Sequence, residues 1–139
     1  MKYLPIFLFL SLCLGVICLN FNKEENVEKY DYLRVHIRAN SNEEIDQEVK
    51  YLVKDEIVNY VMPYLVNCGT KQDSVNVITA LIDDIEDVCD ATLCKNGFTY
   101  KSRARIGEEY FPTRAYDNIT LEAGLYDALI IELGEGVGD

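Results

Sequence analysis

The residue types that most often carry chemistry are sparse in this chain. His36 is the only histidine, and Arg34 and Arg38 flank it two positions away on either side. A nucleophile-and-base mechanism needs a base within hydrogen-bond reach of its nucleophile. A lone imidazole between two guanidinium groups is not the setting of a triad, and it reads as an exposed or partner-facing residue. Asp83, Asp84, Glu86 and Asp87 could suggest a metal or a carboxylate pair, and Asp83 and Asp87 share a helix face. No ligand of another type sits at matching spacing, so the run reads as a solvated helix face. The five cysteines are Cys13, Cys18, Cys68, Cys89 and Cys94, and the first two lie in an apolar N-terminal run. A processed chain would keep three, an odd number that argues against a closed disulfide framework. Cys89 and Cys94 lack the nearby histidine or second cysteine pair of a zinc site and read as free buried thiols. Gly134, Gly136 and Gly138 have no helix after them and no lysine beside them, so they are not a phosphate loop. No metal, cofactor or catalytic constellation is expected.

The elements that would position these residues follow from periodicity. Leu33, Val35, Ile37 and Ala39 alternate with Arg34, His36 and Arg38, which predicts a half-buried strand with one apolar and one basic face. Ser41 with Glu44 three residues on has the form of a capping box. The helix after it buries Ile45, Val49, Leu52, Val53, Ile57, Tyr60 and Val61, and Pro63 ends or kinks it. Asp73 or Ser74 is expected to cap a second helix with Val75, Ile78, Leu81, Ile82, Ile85, Val88 and Cys89 inward. Gly97 closes it, and Phe98 to Ile106 alternates as a strand with Lys101, Arg103 and Arg105 on one side. Leu125 to Leu133 alternates as a third strand between Gly124 and Gly134. The order predicts a small α+β domain with both helices on one face of a mainly antiparallel sheet.

Length leaves room for one domain, and 49% hydrophobic with 27% charged residues is a globular composition. A net charge of −11 disfavours binding to nucleic acid. Tyr3 to Leu19 is uncharged and mostly apolar, at the short limit of the roughly 17–25 residues that span a bilayer. Residues 1–21 are therefore a signal peptide or a membrane anchor, with both readings open. Residues 22–31 form a polar tether, and 32–139 the folded domain. Its glycine-rich end is abrupt and leaves room for a further element. With Lys2 kept inside, the remainder lies outside the cytoplasm.

Two segments carry a resemblance. Leu33-Arg34-Val35-His36-Ile37-Arg38-Ala39-Asn40-Ser41 continues with Asp46-Gln47 and Lys50. Phe111-Pro112-Thr113-Arg114 is followed by Tyr116, Thr120-Leu121, Ala123-Gly124, Tyr126, Ala128-Leu129 and Leu133-Gly134-Glu135-Gly136. Together they resemble the stage II sporulation protein R family from about Leu33 onward. The sequence departs from that pattern at Glu122, where proline is usual, at Val137, where lysine is common, and in lacking the tryptophan-containing tail.

The resemblance implies a signalling protein rather than an enzyme. Such a protein is exported from the forespore into the space between forespore and mother cell. There it activates a membrane-embedded aspartic protease that matures the precursor of an early mother-cell sigma factor. The expected docking set is the basic sheet face of Arg34, His36, Arg38, Lys101, Arg103 and Arg105, joined by Asn40, Arg114 and Tyr116 of the two matching segments. The competing readings are a small extracytoplasmic hydrolase and a membrane-tethered structural domain.

Overall fold

The computed structural model describes residues 32–139. The signal or anchor segment at 1–21 and the tether at 22–31 lie outside the described residues. Along the chain run β1 (Arg34–Arg38), α1 (Glu44–Leu65), α2 (Lys71–Lys95), β2 (Ser102–Phe111), β3 (Arg114–Tyr116), β4 (Ile119–Leu121) and β5 (Gly124–Leu133). The main sheet has the order β1-β5-β2, with β1 parallel to β5 and β2 antiparallel to it. Antiparallel pairing spans the length of β2, so the sheet is mixed but mainly antiparallel, and the α+β class expected from the sequence holds. β5 is central because it is apolar on both faces: Tyr126, Ala128, Leu129, Ile130, Ile131 and Leu133 are all buried.

Both helices cover the sheet face made by Ile37, Leu129, Ile131 and Leu133. Val49, Val53, Ile57 and Val61 of α1 meet Ile78, Ile85, Cys89 and Leu93 of α2 there in one core. Such a stripe at a spacing of four is what holds a valine-rich helix whose intrinsic propensity is poor. Ile45 and Leu52, expected inside, are exposed. The buried stripe is narrower than the run of apolar residues in the sequence.

Several boundaries move from their expected places for identifiable reasons. The first helix starts at Glu44 with Glu43 as its N-cap, and Glu43 makes no side-chain capping bond. The Ser41 hydroxyl instead accepts from Glu43 N at 3.1 Å and donates to the Asp46 carboxylate at 2.6 Å. Pro63 sits in the last turn, and the helix runs on to Leu65. Thr70, not Asp73 or Ser74, caps α2, its hydroxyl accepting from Asp73 N at 3.1 Å. Gly97 does close that helix: Phe98 N donates to Leu93 O and Gly97 N to Cys94 O, with Gly97 at φ 86.

β2 begins at Ser102 rather than Phe98 and continues past Ile106 to Phe111. Phe98 and Tyr100 precede it as a tilted aromatic pair packed on the core. Asp90 accepts from both Ser102 N and Ser102 Oγ, at 2.7 and 2.8 Å, and Glu86 accepts from Ala104 N at 3.2 Å. The Ser102–Ala104 end of the outer edge of β2 is thus occupied by carboxylates of α2, and Glu86 is not merely solvated. Cys89 is buried as a free thiol, with Cys68 half-buried and Cys94 exposed. Burial pushes the Cys89 thiol up to about 12, which makes it a poor nucleophile.

Candidate functional site

The sheet face away from the helices carries the basic residues. Cross-strand register sets Arg34, Ala128 and Gly107 in one row, His36, Ile130 and Arg105 in the next, and Arg38, Glu132 and Arg103 in a third. The sequence pattern showed the cations and missed the carboxylates among them. Glu132 lies 3.1 Å from Arg103 and 3.8 Å from Arg105. Glu109 lies 2.9 Å from His36 Nδ1 and also pairs with Arg38. Burial alone would raise the Glu109 pKa, but His36 and Arg38 outweigh it and hold the carboxyl below its usual value of 4.5. The signal was available: extending the alternation of Arg103 and Arg105 through Gly107 reaches Glu109.

Arg34 is not on an exposed face. It is 7% exposed, its guanidinium carbon 4.1 Å from the centre of the Phe111 ring and 4.7 Å from that of Tyr126. Its Nη2 donates to the Tyr116 hydroxyl at 3.3 Å. Phe111 and Tyr126 meet edge to face at 5.8 Å. Tyr116 comes from the small β3–β4 hairpin, in which Arg114 pairs with Leu121 and Tyr116 with Ile119. The sequence reading did not anticipate this hairpin, whose strands are three residues each. It brings Arg114 and Tyr116 to the same region as β1.

Asn40 is also structural in its contacts. Its Nδ2 donates to Asp46 and its Oδ1 accepts from Glu135 N, both at 2.9 Å. Asp46 accepts as well from Ser41 Oγ and, at 2.7 Å, from the Tyr100 hydroxyl. Burial raises the Asp46 pKa, but the three donors more than offset it and leave it below 3.8, while burial and the Asp46 charge push the Tyr100 phenol up. Gly134, at φ 58, lets the chain turn here; a Cβ would fall 2.2 Å from Asn40 Oδ1. Lys101 is exposed ahead of β2, and its carbonyl accepts from Gly134 N.

Beside β1 runs a groove of about 850 Å³ whose walls come from β1, α1 and the β3–β4 hairpin. It brings together Arg34, His36, Arg38, Arg114 and Tyr116 of the expected set and adds Lys50, Tyr51, Lys54 and Val58 of α1. It does not take in Asn40, Lys101, Arg103 or Arg105. The α1 residues were passed over because a helix's polar side carries no sign of what stands opposite it. Among the described residues no group of three or more His, Cys, Asp or Glu is placed to hold a metal ion. The arrangement offers cations, aromatic surface and open backbone, which are the means of binding an anionic or extended ligand.

Comparison with known proteins places this surface in context. Stage II sporulation protein R of Bacillus subtilis (strain 168) is 25% identical over 146 aligned residues, covering 99% of this chain. The chain spans 65% of that relative's length. No solved structure matches it. The family model for stage II sporulation protein R (spore_II_R) matches residues 29–139, the β1 edge, both helices and the hairpin included, and the chain therefore belongs to the stage II sporulation protein R family.

Proposed function

We propose that the chain is an exported sporulation signal that activates a membrane-embedded aspartic protease of the mother-cell membrane and so triggers maturation of the early mother-cell sigma factor precursor. It acts by contact and not by chemistry of its own. Membership of the family over residues 29–139 carries this reading. The apolar run from Tyr3 to Leu19 supports delivery out of the forespore. Exposed Tyr51, Tyr116 and Arg114 around the groove support docking, since tyrosine and arginine are enriched in binding hot spots, and Lys54 adds a positive charge.

The test is genetic. Deleting the gene in its sporulating host stops cleavage of the sigma precursor on an immunoblot, and restoring the 139-residue chain in trans returns it. Cleavage that continues undiminished after deletion overturns the assignment.

A further inference from the structure

The two outer edges of the main sheet differ at the Ser102–Ala104 end of β2, which α2 closes. An edge strand presents unpaired N–H and C=O groups that invite another strand. On β2, Asp90 and Glu86 occupy the amides of Ser102 and Ala104. On β1, the backbone of Arg34–Arg38 pairs with β5 on one side and, among the described residues, with nothing on the other. The groove lies along that free side.

We propose that the open edge of β1 is a strand-addition site, which takes an extended acidic segment of a partner protein with apolar side chains at alternate positions. The inference deepens the docking reading above and rests on it. Successive side chains of an added strand point to opposite faces of the sheet. One set would meet Val35, Tyr51 and Val58, which are exposed by 46%, 57% and 41% despite their apolar character. The other set would meet Tyr116 on the hairpin. Each wall also holds a cation, Lys54 on α1 and Arg114 on β3, that has no ion-pair partner among the described residues. In a chain of net charge −11, two uncompensated cations facing one groove select an acidic ligand.

The chain supplies a small precedent at the groove's end. Gly138 N donates to Ala39 O at 2.9 Å, Ala39 N to Asp139 O at 3.4 Å, and Lys50 Nζ to Asp139 O at 2.9 Å. A backbone segment is thus already hydrogen-bonded to the residue that follows β1, with a lysine of α1 on its carbonyl.

The test titrates the full-length chain, held in mild detergent, with a synthetic peptide of about ten residues that alternates glutamate and valine. The expected result is calorimetric binding of this peptide, none of its lysine-valine counterpart, and none of a version N-methylated at every backbone nitrogen. The double variant Lys54→Glu/Arg114→Glu, whose circular dichroism and melting match the parent, is expected to bind about tenfold more weakly. Equal binding of the acidic and basic peptides, retention by the N-methylated peptide, or undiminished affinity in the folded double variant overturns the site. So does absence of binding, or sedimentation showing a second copy paired at this edge. Precursor cleavage in the sporulating host separates the two claims. A peptide that fails while cleavage still depends on the gene removes the strand-addition site alone. A peptide that binds while cleavage ignores the gene removes the signalling reading alone.

Discussion

Arg34 shows how a single residue's position changes its meaning. Sequence alternation put it on a basic, solvent-facing surface, where reversal to glutamate together with Arg38 would be a clean test of docking. In the fold it lies between two aromatic rings under a hairpin hydroxyl. Arg34→Glu is expected to lower unfolding free energy by about 2–4 kcal/mol, read by urea denaturation, because it buries an unpaired carboxylate against ring faces that favour a cation. Asp46 carries the opposite charge in a comparable enclosure. Asp46→Asn is expected to cost about 1–3 kcal/mol at neutral pH by weakening its three hydrogen bonds. Its folded pKa lies below the unfolded value near 3.8, so its contribution is fully present above that value and lost as pH falls through the folded one. The gap between parent and variant in urea midpoint should accordingly close on acidification. Neither role was legible beforehand: periodicity tells which face a side chain takes, but not that a distant hairpin or glycine turn will cover it.

At the scale of elements, more could be read. The helices, the first strand and the last strand were visible because apolar spacing repeats long enough to outweigh local irregularity. The caps were not, because Ser41, Thr70, Asp73 and Ser74 are all competent and tertiary contacts choose among them. Thr70→Ala is expected to destabilise the domain by about 1 kcal/mol in the same denaturation assay, whereas Ser74→Ala should have little effect. The β3–β4 hairpin was illegible since three-residue strands are too short to show alternation. The carboxylates of α2 that hold the β2 edge looked like a solvated face. Asp90→Ala frees Ser102 N while Ser102 Oγ keeps the Glu86 carbonyl at 3.3 Å, and is expected to cost about 1–3 kcal/mol and to raise the aggregation rate followed by light scattering.

For the whole molecule, the fold class followed from sequence, but the make-up of the groove beside β1 did not. Much of the groove is lent by α1 and the hairpin, which no single segment reveals. One further consequence concerns timing. β5 lies at the centre of the sheet yet is the last of the described strands, while β1, its parallel neighbour, is the first of them. β1 cannot find its partner until both helices, β2 and the hairpin have been synthesised, and pairing of that long sequence separation is slow to form. Apart from the local β3–β4 hairpin, the growing polypeptide has no paired strands among the described residues until β5 is available, and β1 and β2 then assemble on it together.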